Sequence, residues 1–439
     1  MPTEPTPRRV LIVEFFSRGG LIHYTLQLAR AMAAETDAAE IVMLTAKRPE
    51  APAPAGVHYL NRLSTWNPHR QPRWLPRRLV RVARGLIYVW VWMQVLRAVR
   101  QQHPRLVLLR DLEHRCDGWF VRRLHRWCRR QQPPVVLADV WDNVEPFERY
   151  RGRRVLRRLH WRLGLAAAFD AVFVHGAALS AQFADLTGRR ACTIPHGNQD
   201  WIAEQAGPDP RLDECLHLPP GPPLAMLFGA LSTYKGVEIL LAAMAALEPA
   251  QRPLLLIAGM PTAVSQVGPW QRMAREHNLE PWLRWDLRYV PTPDIAWYFR
   301  RADWVVLPYR RASQSGVGHL ALTFGKPLLV TATGGLPELI EGNGIVVPPE
   351  DAFALAHAMA RLARSPELRR RWGQRSAELA RSHHAWGPIA RTVLRATVPD
   401  LLSPAAIATK AVSAPASEKA RGGIRARGRM RGGVRTPPL

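Results

Sequence analysis

Lys235 stands in a Tyr-Lys-Gly triplet, and further along come Ser313-Gln314-Ser315-Gly316-Val317 and Thr333-Gly334-Gly335. A lone ammonium in a loop and hydroxyl- and glycine-rich turns opening helices are groups that bind anions. Free N–H groups and a positive dipole gather at such helix starts. Gly325-Lys326-Pro327 ends the run that Ser315 opens, Leu328–Thr331 reads as a buried strand, and the second turn opens another helix at Leu336-Pro337-Glu338. Two helix N-termini are therefore expected at the same edge of one parallel sheet, aimed at a diphosphate-bearing ligand. Solvated-loop and plain-cap readings stand beside this one for Lys235 and Gly316. In the first half, Ala138–Glu148 (ADVWDNVEPFE) follows a strand. Asp142 can accept a hydrogen bond from a hydroxyl, take its proton, or cap the next helix. His196 reads as a ligand-facing residue or as a loop histidine packed at a hinge, and His175 as a core-edge histidine.

The elements that must position these residues form two similar series. Val10–Val13, the turn Ser17-Arg18-Gly19-Gly20, a helix over Leu21–Ala33 and Ile41–Leu44 make a βαβ unit of a parallel sheet. Strands follow at Leu106–Leu109, Val135–Ala138, Ala171–Val174 and Ala191–Ile194. A proline- and glycine-rich linker is expected from Pro195 to Pro223. The pattern restarts with strands at Leu224–Phe228, Leu254–Ala258, Trp285–Val290, Trp304–Leu307 and Ile345–Val347. Helices are expected at Val237–Leu247, Asp294–Arg301, Ala352–Ala363 and Pro366–Ser382. The fold class is α/β: two doubly wound, Rossmann-like domains facing a cleft, where ligands sit outside the carboxyl ends of the strands. The expected boundaries are 1–200, 201–385, a terminal helix over 386–398, and a disordered Arg/Gly-rich tail over 399–439.

The 439 residues carry a formal charge of +26 with a pI near 11.3, which calls for an anionic partner. Between Arg62 and Arg162 lie about two dozen arginines and no lysine. The apolar run Gly85–Leu96 (GLIYVWVWMQVL) sits inside that belt. It reads as a core helix, as a helix lying in a membrane interface, or as a span, for which it is short against roughly 20 residues. An anionic membrane surface is the expected partner. Nucleic acid is not, since no zinc-finger, helix-turn-helix or RRM pattern accompanies the charge. Four scattered cysteines exclude a disulfide framework or a zinc site, and no metal or other cofactor is expected.

Taken in order, these pieces resemble the GT-B glycosyltransferases of family 4 (group 1) from Val10 to about Leu394. The pieces are Gly19-Gly20, Pro195-His196-Gly197, Tyr234-Lys235-Gly236, Ile257-Ala258-Gly259, Ala302-Asp303, the Tyr309–Ile340 stretch and Trp386. The resemblance implies transfer of a sugar from a UDP- or GDP-sugar, usually with retention. The second domain would bind the donor and the first the acceptor. Lys235 and the N–H groups of Gly316 and Val317 would then stabilise the leaving nucleoside diphosphate. Family members carry two glutamates eight positions apart and an arginine five before the lysine. Here Ala312, Leu320 and Ala230 stand there, so ribose and sugar contacts pass to Gln314, Ser315, His319 or Glu338. Ser-Gln-Ser-Gly-Val with Tyr-Lys-Gly resembles a bacterial subset, whose first-domain segment matches here at Asn143 and Glu148, with Asp142 and Phe147 replacing its histidines. Gly19, Gly20, Asn143, Glu148 and His196 are thereby the expected acceptor contacts. The expected acceptor is a lipid-linked saccharide of a bacterial surface glycan, at the inner face of the plasma membrane. A non-catalytic scaffold and a sugar-nucleotide epimerase are the alternatives.

Overall fold

Among the described residues, thirteen short and mostly apolar strands sort into two all-parallel sheets. The computed structural model describes residues 8–37, 39–65, 76–110, 112, 114, 116–144, 164–205, 207, 211–262, 265 and 267–408. The first sheet has the order β3-β2-β1-β4-β5-β6-β7. Its strands are β1 (Arg8–Val13), β2 (Ala39–Ala46), β3 (Val57–Leu63), β4 (Leu106–Arg110), β5 (Val136–Trp141), β6 (Ala171–His175) and β7 (Cys192–Ile194). The second has the order β10-β9-β8-β11-β12-β13. It comprises β8 (Leu224–Phe228), β9 (Leu254–Ala258), β10 (Leu283–Asp286), β11 (Trp304–Leu307), β12 (Leu328–Thr331) and β13 (Gly344–Val347). Covered on both faces by helices, the central strands are largely continuous apolar runs, as parallel sheets require, whereas the edge strand β3 is partly exposed. Each order reverses beside its first strand, so the ligand-accepting crevice of each domain lies at that switch point.

Helices α1 (Gly20–Ala34), α2 (Arg77–Gln102), α3 (Asp117–Cys128) and α4 (Gly176–Thr187) clothe the first sheet. α2 extends the expected apolar run by more than two turns, with one face buried and the other exposed. Val91, Trp92, Val95, Leu96 and Val99 are buried, whereas Leu86, Trp90 and Met93 are exposed. Among the described residues it is the one helix long and apolar enough to cross a membrane by length and composition. The edge strand β3, α3 and α4 were not expected from the sequence. The strand expected at Trp285–Val290 instead ends at Asp286, because that stretch turns out of the sheet to build the cleft.

The chain between the domains is not a bare linker: short helices form at Asp200–Glu204 and Leu212–Cys215. The helix Trp386–Thr397 returns to the first domain and lies along α1. Arg391 pairs with Glu35 at 2.6 Å. The expected disordered tail begins too early, since residues Pro399–Ala408 are ordered. Leu401 and Ala406 are buried, and Ser403 N–H donates to the Glu35 carbonyl. Apolar Leu401, Leu402 and Ala406 give this segment a face to bury. Residues 409–439 lie outside the described residues.

Trp386 fixes the crossover. Its Nε1 donates to the Asn198 carbonyl at 2.9 Å, and its ring meets Tyr24 edge-on at 4.9 Å. Gly197 leaves the ring its space, since a Cβ there would approach it to 2.2 Å. Trp386→Ala should lower stability by about 3 kcal/mol, seen as a lower urea midpoint. An unchanged midpoint would remove Trp386 from the interdomain contact.

Candidate active site

Four first-domain strands each deliver one ionisable residue to the carboxyl edge: Glu14 after β1, Arg110 ending β4, Asp142 after β5, and His175 ending β6. Arg110 is buried and donates to Asp142 at 2.8 Å, to the Leu21 carbonyl at 2.7 Å and to Thr25 at 3.2 Å. Its guanidinium lies 3.8 Å over the Tyr24 ring. Thr25 donates to Glu14 at 2.5 Å, and His175 Nε2 is 3.2 Å from the other oxygen of Asp142. Burial alone would raise the Asp142 pKa. Arg110, helped by His175, more than reverses this and holds Asp142 well below the usual carboxylate range. A carboxylate so held is a weak base. Its chemistry is to orient a hydroxyl rather than to remove a proton. Burial instead pushes Glu14 up, against the pull of Arg110.

Opposite this wall, the loop after β8 carries Lys235. Its Nζ donates to the Tyr309 hydroxyl at 2.6 Å and lies 4.1 Å from that ring's centroid. Gly236 permits the approach: it has φ +68°, and a Cβ there would come within 2.0 Å of the Pro308 carbonyl oxygen. The Tyr309 hydroxyl is 3.5 Å from Ser315 Oγ, which accepts from Gly318 N–H and so caps the helix Gly316–Thr323. Lysine, tyrosine and helix cap thus form one connected unit, with the ammonium and the free helix N–H groups opening into one space.

That space is a cleft of about 730 Å³ between the sheets, within the range of small-molecule sites. It gathers Lys235, Gln314, Ser315, Gly316 and Val317 from the second domain. From the first it takes Gly19, Gly20, Asp142 and Asn143, with His196 from the hinge. Gly334 and Gly335 do not face it. They line a separate hollow of about 440 Å³ beside Arg310 and Arg311, and the expected second helix is only a 3-10 turn, Leu336–Leu339. Glu338 turns away as well, and its carboxylate accepts from Ala178 N–H at 3.0 Å, capping α4 across the domain boundary. Gln314 lies between the two hollows and donates to the His175 carbonyl at 3.4 Å. Glu148 lies outside the described residues.

Sequence reading missed the mouth of the cleft. Glu50 accepts from Gly19 N–H at 3.0 Å, from the Tyr289 hydroxyl at 2.7 Å and from Thr292 at 2.9 Å. His23 Nε2 lies 2.9 Å from the same Thr292 hydroxyl. Glu50 and Tyr289 are 239 positions apart, so no local signal pairs them. At the hinge, His196 stacks on His319 at 4.2 Å, and His319 meets His384 at 4.7 Å. Burial keeps these rings neutral. It lowers His196 to about 3 and His23 to about 4, and it lowers His319 and His384 too.

With this geometry in view, the comparisons are specific. Residues 210–379 match the family described as glycosyl transferases group 1. The fold is GT-B. The second domain carries the match to the group 1 glycosyl transferases. A D-inositol 3-phosphate glycosyltransferase of Corynebacterium glutamicum (strain R) is 31% identical over 160 residues, covering 35% of this chain. The match spans only 38% of that relative's length. Sucrose-phosphate synthase from Thermosynechococcus elongatus superposes with a TM-score of 0.68 at 22% identity, over 88% of this GT-B chain and 98% of its own. HepE from Anabaena, solved in complex with UDP, gives 0.63 at 16%, over 88% and 98%.

Two outcomes follow. Unfolded histidines bind protons near pH 6.5, whereas these buried ones resist protonation down to far lower pH. The unfolded chain therefore binds more protons below about pH 6.5, and stability falls as pH drops. Asp142 adds to the loss at lower pH, and Glu14 opposes it. Tm should be lower at pH 5 than at pH 7.5, with a shallower slope in His319→Phe. A Tm independent of pH over that range would contradict the assignment. Separately, Lys235→Ala should weaken UDP or GDP binding by about 2 kcal/mol or more in calorimetry. Unchanged affinity would take Lys235 out of the site.

Proposed function

We propose that the protein is a glycosyltransferase that moves a sugar from a UDP- or GDP-sugar to an acceptor hydroxyl. The observation that carries this is the Lys235–Tyr309–Ser315 unit, which points an ammonium and a capped helix start at the hydroxyl-orienting wall of the other domain. In the reaction the bond from the anomeric carbon to the diphosphate breaks, and the nucleoside diphosphate leaves with the electron pair. The acceptor oxygen bonds to that carbon, with retention, and gives up its proton to an oxygen of the departing diphosphate. Lys235 and the N–H groups of Gly316 and Val317 stabilise charge growing on the leaving group, where preorganised donors act most strongly. Asp142 and Asn143 orient the acceptor. On this reading Lys235 and those N–H groups, rather than a metal, meet the charge of the leaving group.

The binding of UDP by HepE, which shares the fold, supports a uridine donor. The acceptor we favour is a lipid-linked saccharide of a bacterial surface glycan, with the enzyme peripheral on the inner face of the plasma membrane. The arginine belt and the half-exposed α2 support this. The name of the Corynebacterium glutamicum relative supports a second acceptor class, a soluble phosphorylated polyol. Radiolabelled transfer with a panel of nucleotide sugars, given membrane lipid extract or inositol phosphates, separates the two. Label in the organic phase is expected. Label only in the soluble product would replace the lipid acceptor. Binding of neither UDP nor GDP would instead favour a scaffold, for which Ala312 and Leu320 at the cleft provide some ground. Release of free epimerised nucleotide sugar would mark an epimerase.

A further inference from the structure

The outer face of α2 carries Leu79, Val82, Leu86, Trp90 and Met93, spaced by three or four residues and 49–67% exposed. This spacing is one stripe of a helix. Trp119 of α3, 53% exposed, adds to it. Beside these apolar groups stand exposed Arg78, Arg97 and Arg100 on α2, and α3 carries exposed Arg122, Arg123 and Arg126. Among the described residues none of these arginines pairs with a carboxylate. Arg123 lies 5.6 Å over the Trp119 ring.

We infer that this α2–α3 face is a docking surface for an anionic lipid bilayer, with α2 lying in the plane of the headgroups. The opposite face of α2 belongs to the first-domain core, where Trp92, Val95 and Val99 are fully buried. The helix therefore cannot leave the sheet to span. Trp92 Nε1 and the Tyr88 hydroxyl both donate to the buried carboxylate of Asp117, at 2.8 and 2.7 Å. That bond pair joins α2 to α3 as one plate. A helix with tryptophans and leucines on one side, arginines at the margin and its back on a protein core is built to lie at headgroup depth. Two alternative occupants fit poorly. A second copy pressed face to face would bring two arginine margins together. Nucleic acid would leave the apolar stripe without a partner.

The plate also lies beside the reaction cleft. Phe15, in the segment between β1 and Gly19-Gly20, packs on Trp92 at 5.3 Å and on Tyr88 at 6.2 Å. A lipid-linked acceptor held in the same leaflet would thus arrive at the first-domain rim of the cleft. This use of the surface rests on the glycosyl-transfer reading, while the surface itself does not.

The test is sedimentation of the full-length chain with vesicles of phosphatidylcholine plus phosphatidylglycerol, and with phosphatidylcholine alone. The wild type should bind the anionic vesicles and shift its tryptophan emission to the blue. The triple variant Leu86→Ser/Trp90→Ser/Met93→Ser should bind on the order of tenfold more weakly. Arg122→Gln/Arg123→Gln/Arg126→Gln should lose the preference for anionic lipid. The basic C-terminal residues are the same in every variant, so differences report on the plate. Because the altered side chains are exposed, Tm should stay constant. A second pair, Trp90→Phe/Trp119→Phe, should remove most of the blue shift while keeping the fold. Equal vesicle binding by wild type and both triple variants would overturn the proposal. So would a self-association in solution that the apolar triple variant abolishes. UDP titration of the same samples keeps the two readings apart: nucleotide binding without vesicle binding refutes the docking face alone, and the converse refutes the transferase reading alone.

Discussion

His196 lies nearly parallel to His319 at 4.2 Å, one ring from the hinge and the other from the helix that Ser315 caps. The rest of the site depends on that contact. Two parallel sheets offer useful groups only at the carboxyl ends of their strands, and those ends matter together only if they face each other at a fixed separation. The contacts that hold them so are mainly neutral and buried: Trp386 on Tyr24, His319 against His384, and Gln314 on the His175 carbonyl. Burial favours the uncharged imidazole at each position, so the stack costs no paired charge and meets no repulsion at neutral pH.

Charge is placed differently on the two sides of the cleft. The first-domain wall compensates its own charges: Arg110 balances Asp142, and Thr25 links Arg110 to Glu14. It offers hydrogen-bonding edges without a net field. On the other side, Lys235 is held by the neutral oxygen of Tyr309 beside an uncancelled helix start. On the proposed reading, a diphosphate is drawn to the second domain and a hydroxyl to the first, which gives the cleft a direction. Glu50 at the mouth ties the Gly19-Gly20 turn to Tyr289 and Thr292. It thereby fixes the loop that borders both halves.

Much of the architecture was legible because parallel strands are short, apolar and bounded by turn residues. Leu224–Phe228, Leu254–Ala258 and Trp304–Leu307 fall where their patterns place them. α3 was missed although Phe120, Val121, Leu124 and Cys128 make a regular helical stripe, because the arginines of its outer face led the segment to be read for charge alone. β3 was missed because, as an edge strand, it leaves half its residues to solvent. In the site, the loop at Lys235 and the helix cap at Ser315–Val317 form where neighbours in sequence specify them. Contacts made only by folding were invisible: Arg110 with Asp142, the histidine stack, and Glu50 with Tyr289. Glu338 misled for the same reason. Its place in a turn suggested a ligand contact, whereas its partner is a helix start in the other domain.

The central claim is that one nucleoside diphosphate binds between Lys235 and the start of the helix Gly316–Thr323. A crystal structure with UDP or GDP soaked into the cleft tests it directly. The account predicts diphosphate oxygens within hydrogen-bond distance of Lys235 Nζ and of the backbone N–H groups of Gly316 and Val317. Diphosphate density in the hollow beside Gly334 and Gly335, with the Lys235 cleft empty, would contradict it.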